Sequence, residues 1–563
     1  MQVKPLIASN LNPGMLFLEQ QKDLNVYIAN LLSQVNSGQA LRPNQKLKIT
    51  AYSDHLPFVY KTVEIAYRDF NAGLVSVSLK EQALEDLKAR YGIREDFDYK
   101  EQKELELKQQ GAAFITFDKT TSLYSEAGLS AQDEKDLIKS ISDFIPDDVQ
   151  KELAINPEEI LSGCLNLRRG QPLAILGSRE HLPQMLQLAE WAYQNGTKLI
   201  DISINEKKEF DLAIPFYKYA SKSILSEVPE SVVARSKEFL EKGTASLYLE
   251  GTDPSKYENI DPAKIQLAQT GILKKTKPYE DRLTIENPWC IYYLPTTASA
   301  GAAGYASLKD AAIEARKITR VGKLTEHIAN LKKTEEKLNA VVKQGYNILH
   351  FLSVRPNTET PDGKTDLRVG LTPKSIFISG TAITPSGQVY IPNIPTEECF
   401  TTPDWTKTKG TVSMTRPVSL NGSIVDGIQM EFNEGKLIKA NATKNPDVLL
   451  EWLEKNENAD KLGEIAVVAG SPIFDLGKIF NSILLDENAT CHFALGNSYS
   501  DCIEGTNDIA NHDEREIYMR NLSCNNSPVH IDFMIGGPNV MVFAEKVNGS
   551  DRKVLIKDNK FQI

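Results

Sequence analysis

Residues 41–57 read LRPNQKLKITAYSDHLP, and residues 167–183 read LRRGQPLAILGSREHLP. Leu41, Arg42, Gln45, Leu47 and Ile49 recur as Leu167, Arg168, Gln171, Leu173 and Ile175, all at an offset of 126. His55-Leu56-Pro57 recurs as His181-Leu182-Pro183, and Glu64, Ala66 and Tyr67 recur as Glu190, Ala192 and Tyr193, at the same offset. One residue shorter, LVSVSL (74–79) matches LIDISI (199–204), and GAAFITFDKTTSLY (111–124) resembles GTASLYLEGTDPSKY (243–257). One offset held through a strand, a helix and a further strand indicates a duplicated module.

Each copy has the same internal order. A polar turn leads into an alternating strand, KLKIT or PLAIL. A helical stretch follows, with Met185, Leu186, Leu188, Ala189 and Ala192 at helical spacing in the second copy. A second alternating strand closes the unit, and strand–helix–strand order predicts a parallel sheet. His55 and His181 stand beside Pro at equivalent places and read as a repeated helix-start turn, not as ligands. The stretch 81–111 mixes acid and base and reads as a solvated helical face. Residues 307–345 predict one or two amphipathic helices, with His327 among polar residues at the surface. From about 347 the pattern changes to short strands between Gly, Pro, Asn and Asp turns. The expected fold class is α/β plus α+β. A first α/β module (1–142) precedes a second with its helical connector (143–345), and a mostly β catalytic domain (346–563) follows.

Composition narrows the function. The 563 residues are 41% hydrophobic and 25% charged, near the globular average, and predict three or more domains. With 75 acidic and 64 basic residues the net charge is −11, which argues against a nucleic-acid partner. No run of about 18 apolar residues predicts a membrane span. The start, MQVKPLIASNLNPG, does not read as a signal peptide. Six scattered cysteines without a CxxC pair argue against a disulfide framework and fit a reducing cytoplasm.

Four segments of the β-rich part carry acids and histidines. They are IPNIPTEECFTTPD (391–404) with Glu397 and Glu398, LGEIAVVAGSPI (462–473) with Glu464, LLDENATCHFALGNSY (484–499) with Glu487, His492 and Tyr499, and SPVHIDFMIGG (527–537) with His530 and Asp532. His530 and Asp532 are two apart, so on a strand they share a face, opposite Val529, Ile531 and Phe533. An ionisable pair on so apolar a strand needs a compensating charge. A metal supplies one. Carboxylates plus two imidazoles, without thiolate, suit two divalent ions such as Zn²⁺, Co²⁺, Mn²⁺ or Mg²⁺. Two such ions activate a water near neutral pH. His512, in a polar loop, reads as a surface residue, and Cys399 and Cys491 read as small packing residues.

NIPTEECFTTPD, GEIAVV, DENATCHFALGNSY and VHIDFMIGG, in this order, resemble the aminopeptidase T / aminopeptidase S family of dinuclear metalloaminopeptidases. PWCIYYLPT (288–296), DLRVGL (366–371) and EGTDPSKYENIDPAK (250–264) agree, so the resemblance covers about residues 145–563. The first module is extra to the family chain. The resemblance implies an exopeptidase that removes N-terminal residues from peptides with a free amine, acting as a homodimer. Carried onto matching positions, it implies metal ligands Glu398, Glu464, Glu487, His492, His530 and Asp532. It also implies Tyr499 beside the metals, where it hydrogen-bonds the tetrahedral intermediate. Adjacent Glu side chains in an extended segment point to opposite sides. One of the pair is thus expected to bind metal; Glu398 is taken as that ligand and Glu397 as general base or supporting partner, with the reverse left open. Two other readings compete: a peptide-binding scaffold that keeps the fold without catalysis, and another two-metal amidohydrolase.

Overall fold

The computed structural model describes residues 22–117, 145–353, 364–420, 423–509 and 511–563. The reading of residues 1–14 and the expected boundary at 142 fall outside them. The chain divides into two compact units, 1–249 with 256–289 and 250–255 with 290–563.

In the first unit, Leu47–Tyr52 is the central strand of a three-stranded parallel sheet, between Val75–Lys80 and Ala113–Thr116. Leu173–Ser178 lies in the same way between Ile200–Asn205 and Ala245–Glu250, parallel to both. The crossovers are the helices Leu56–Phe70 and Leu182–Gln194, which bury Phe58, Val59 and Val63 and Met185, Leu188 and Ala192. Each helix carries Pro in its first turn, where the missing N–H breaks no helical bond. His55 and His181 are buried and end the short 3₁₀ turn that leads into each helix. The Ser178 N–H donates to His181 Nδ1 at 3.2 Å, so this imidazole serves the helix start, as the sequence suggests.

The charged stretch 81–111 differs from its reading as a solvated face. It forms the helices Gln82–Arg90 and Asp98–Gln109, and the second is anchored at its start. The buried Phe97 ring lies 5.0 Å from that of Phe239. Tyr99 Oη donates to the buried Asp201 at 2.9 Å, and Lys100 Nζ lies 3.0 Å from the same carboxylate. The Glu238 carboxylate accepts from the Asp98 and Tyr99 N–H groups at 2.9 and 2.8 Å, satisfying a helix start. Burial alone would raise the Asp201 carboxyl, but Arg235, Lys100 and Tyr99 outweigh it and hold it below the usual range. Alternating charge concealed this anchor because Phe97, Asp98, Tyr99 and Lys100 stand among many charged neighbours.

Arg179 joins two carboxylates within the same unit. Its Nη1 lies 2.6 Å from Glu81, its Nη2 pairs with Glu206, and all three side chains are buried. Replacing Arg179 by Met is expected to cost about 3–5 kcal/mol, because two buried carboxylates lose their cation. A urea titration followed by fluorescence reads this as a lower midpoint. An unchanged midpoint would mean that the bridge contributes no net stability.

The second unit is built on two antiparallel sheets. Eight strands run in the order Lys436–Asn441, Gln429–Asn433, Lys409–Ser413, Asp366–Gly370, Ile348–Ser353, Val540–Glu545, Arg552–Lys557 and Lys560–Phe561. Four more run Glu398–Thr401, Leu462–Val468, His492–Gly496 and His530–Met534. Ile465, Val467, Phe493, Leu495 and Phe533 of the smaller sheet share one core with Phe351, Leu367, Val412, Phe432 and Val542 of the larger. The Phe493 ring stacks on Phe533 at 5.8 Å and meets Phe432 edge-on at 5.9 Å. Each such side chain contributes about 1.5–3 kcal/mol on burial, so this core holds the smaller sheet flat against its neighbour. Residues 307–345 form the helices Leu308–Ile318 and Leu324–Lys343, as expected, with a break in which Arg320 adopts φ +59°. The polar stretch 500–528 carries a helix, His512–Asn521, where only a loop was expected. Asn511 starts it, its Oδ1 accepting the Glu514 N–H at 3.1 Å. Among the described residues, no helix is long and apolar enough to cross a membrane. The expected class, parallel α/β sheets ahead of a mostly antiparallel region, is the class observed.

Candidate metal centre

Strand register places the acid and histidine motifs together. Glu398 pairs with Val468, Glu464 with Ala494, Ala466 with His492, Ala494 with Asp532, and Gly496 with His530. Directly paired residues share a face, and so do residues two apart on one strand. Glu398, Glu464, His492, His530 and Asp532 therefore line one face of the four-stranded sheet. The other face is the apolar core. Between these groups stand Ala466 and Ala494, whose small side chains leave room beside the polar groups. Their spacing in the sequence gave no hint of this. Gly496, at φ +111°, admits a close approach: a Cβ there would lie 2.0 Å from the Val529 oxygen. No side chain fits at that point, next to the pairing with His530.

The groups converge in two overlapping sets. Glu398, Glu464 and His492 each offer a ligand atom within 4.8 Å of the others, and so do Glu464, His530 and Asp532. Glu464 belongs to both. Its Oε1 lies 3.7 Å from His492 Nε2, and its Oε2 lies 3.1 Å from His530 Nε2. His492 Nε2 is also 3.1 Å from Glu398 Oε2, and His530 Nε2 is 3.5 Å from Asp532 Oδ1. Glu487, the last residue of the short helix Ile483–Glu487, is buried beside them, with Asp532 and Glu398 as charged neighbours.

Both imidazoles are oriented from behind. His492 Nδ1 lies 3.0 and 3.2 Å from the Glu487 and Thr490 carbonyl oxygens, and His530 Nδ1 lies 2.8 Å from that of Asn497. A carbonyl only accepts, so each Nδ1 carries a proton and Nε2 is the nitrogen that faces the carboxylates. This is the arrangement of metal-ligating histidines, whose other nitrogen donates to a carbonyl. Two ligand atoms at about 2.0–2.2 Å from one ion stand about 2.8–3.6 Å apart for right-angle to tetrahedral geometry. The 3.1 Å separations match. Glu398 Oε2 makes no hydrogen bond although it is buried.

Electrostatics state the same demand for a cation. Burial, with Asp532 and Glu398 nearby, pushes the Glu487 carboxyl well above its ordinary value. Burial also raises Glu398, against the lowering influence of His492. For His492 burial alone would depress the imidazole, but the adjacent Glu398 and Glu464 carboxylates carry it well above 6.5. His530 follows the same pattern, with Asp532 and Glu464 outweighing burial. Four carboxylates crowd two imidazoles in a space nearly closed to water, and a divalent cation relieves that crowding. The donor set is oxygen and nitrogen throughout. Cys399 points into the core, and Cys491 Sγ donates to the Val468 oxygen at 3.3 Å, so both are packing residues as expected.

Tyr499 sits at the edge of this face. Its Oη lies 3.3 Å from His530 Nε2 and its ring packs 4.8 Å from the imidazole, while the residue as a whole is 37% exposed. Burial of the hydroxyl, then Glu464 and Asp532, push the phenol well above 10, so it remains a proton donor. Phe400 stands edge-on to it at 5.7 Å.

Glu397 points away from Glu398, as alternation requires, and meets two residues that the sequence did not bring forward. Arg320 Nε and Nη2 donate to its Oε1 at 3.0 and 2.7 Å, and Nη2 also reaches Oε2 at 3.0 Å. Burial raises the Glu397 carboxyl to about 7 despite the guanidinium. His327 is not the surface histidine expected from its polar neighbours. It is largely buried, with Nε2 2.6 Å from the Thr396 oxygen and 3.6 Å from Glu397 Oε1. The turn that buries it is the break at 319–323. A non-glycine residue at positive φ, Arg320, marks that break, and sequence periodicity does not show such a turn.

The sequence pattern of the thermophilic metalloprotease (M29) family matches residues 150–561. Aminopeptidase 2 of Geobacillus stearothermophilus is 28% identical over 426 residues, covering 73% of this chain and 98% of its own. Aminopeptidase T of Thermus thermophilus is 30% identical over 382 residues, covering 66% of this chain and 89% of its own. The solved structure of wild-type AmpT from Thermus thermophilus superposes with a TM-score of 0.64 at 28% identity, covering 74% of this chain and 99% of that one.

Proposed function

The chain belongs to the thermophilic metalloprotease (M29) family and is a metal-dependent aminopeptidase, and from that premise we propose how its residues divide the work. Glu398, Glu464, Glu487, His492, His530 and Asp532 hold two divalent ions, each drawn from Zn²⁺, Co²⁺, Mn²⁺ or Mg²⁺. The observation that carries this reading is the pair of three-residue sets sharing Glu464, whose two oxygens face different imidazoles. When bound, divalent ions polarise the scissile carbonyl and activate water near neutral pH.

The remaining residues position and donate. Tyr499 stays protonated, and its hydroxyl donates to the oxygen that becomes negative during attack. Glu398, Glu464, His492, His530 and Asp532 are fixed by strand pairing, so the polar face is preorganised before a peptide arrives. Of the two roles open to Glu397, general base and supporting partner, its contacts with Arg320 support the second. The substrate is a peptide with a free N-terminus, its amine drawn to the same acidic face. We read residues 1–142 as an additional copy of the α/β module that follows, and 346–563 as the catalytic domain. Cytoplasmic residence fits six cysteines that are free and buried. The homodimer rests on family resemblance.

Release of free amino acids from an unblocked peptide, with N-acetylated peptide left intact, is the expected result. Metal analysis of the active protein should give two ions per chain. Full activity at one ion per chain would overturn the two-ion assignment.

A further inference from the structure

Asn488 follows Glu487 directly and is fully buried. Its amide makes three hydrogen bonds, each to a different target. Oδ1 accepts the Glu397 N–H at 2.7 Å. Nδ2 donates to the Leu484 oxygen at 2.9 Å and to Glu487 Oε1 at 3.3 Å. One side chain thus ties the backbone beside Glu398 to the carboxylate of Glu487, across 91 residues of sequence.

Glu487 needs such a tie more than its neighbours do. Glu398, Glu464, His492, His530 and Asp532 stand on paired strands, where the ladder fixes them. Glu487 stands at the end of a five-residue helix and belongs to neither of the two compact ligand sets. A helix that short is not stable alone. Its carboxylate direction is set by its surroundings, and there Asn488 Nδ2 donates to Oε1 at 3.3 Å. The amide at 488 accepts from a backbone N–H and donates to a carboxylate at once, with a second donor left for the Leu484 oxygen. Asp at 488 loses both donated bonds and brings a carboxylate beside Glu487.

We propose that Asn488 is a positioning residue that holds Glu487 toward one of the two ions and registers it against Glu398. This rests on the two-ion reading above. A plain helix-end role for Asn488 needs only the bond to the Leu484 oxygen and predicts lost stability without a change in metal binding.

The test uses the full-length metal-free protein, titrated with Zn²⁺ against a chromophoric chelator. Asn488→Asp and Asn488→Ala are compared with the parent and with Leu484→Ala, which thins the same helix without touching the amide. Thermal melting of each metal-free protein reports folding. The expected result is one ion bound as in the parent and the other about 10–100-fold more weakly in both Asn488 variants. Leu484→Ala melts lower but keeps both affinities, and kcat of Asn488→Ala returns as Zn²⁺ is raised while KM stays near the parent value. Asn488→Ala adds no charge, so it carries the test if the Asp variant fails to fold. Parent-like binding of both ions, or equal weakening of both, would overturn the proposal. A parent that binds fewer than two ions would instead overturn the two-ion reading, so the two failures are distinct.

Discussion

Glu464→Gln is expected to lower kcat by about three orders of magnitude or more, equivalent to about 4 kcal/mol of lost transition-state stabilisation. Glu464 is the residue common to both ligand sets, with one oxygen toward His492 and the other toward His530. Gln keeps the shape and one acceptor oxygen but turns the other oxygen into an NH₂ donor, which ligates no cation. At least one ion then loses a ligand, and the charge that balances two dications falls by one. The effect should exceed that of losing any single one-sided ligand. The strand around it, Leu462–Val468, is buried throughout, and Gln is nearly isosteric, so the fold should persist. The measurement pairs kcat with metal content. Two ions bound with parent affinity, or a kcat within about tenfold of the parent, would exclude a part for Glu464 in both sets.

The sequence exposed the parts of this molecule that repeat or alternate. The offset of 126 aligned Leu47 with Leu173 and Pro57 with Pro183, and both neighbourhoods form a strand followed by a helix with early Pro. The His530–Asp532 spacing gave a common strand face because period two is intrinsic to a strand. The motif around Glu464 was legible as an acid set in an apolar strand. What stayed hidden depended on contacts between distant segments. Ala466 and Ala494 look like ordinary core residues until register places them among charged groups. Arg320 and His327 sit in a helical stretch whose polar pattern reads as surface, and only the break at 319–323 turns them onto Glu397. Asn488 is hidden for a related reason: an Asn after a short acidic run resembles a helix end, and its second partner is 91 residues away. Tyr99 and Lys100 were masked by the charges around them, although their common target, Asp201, is buried.

Removal of the metal is expected to weaken the second unit as well as stop the reaction. Every proposed ligand lies in that unit, on the smaller sheet or the helix beside it. Without cations, Glu398 and Glu487 are buried against like charges and become hard to ionise. The paired strands still hold them there, because Phe493 and Phe533 on the opposite face keep the sheet in place. Folding therefore builds a crowded acidic face whose relief waits on ligation. An ion that binds only the folded state adds about 2.7 kcal/mol at a free concentration one hundred times its dissociation constant. Two such sites contribute about 5 kcal/mol if they fill independently. Calorimetry of chelator-treated protein should show a lower melting temperature for the transition of this unit. Adding Zn²⁺, Co²⁺ or Mn²⁺ should raise it progressively with free metal. Aminopeptidase activity should return over the same concentration range, because the proposed ligands are the residues that shape the polar face. A melting temperature indifferent to chelation and to added metal, in protein whose metal content does change, would show that these carboxylates are balanced by something other than bound cations.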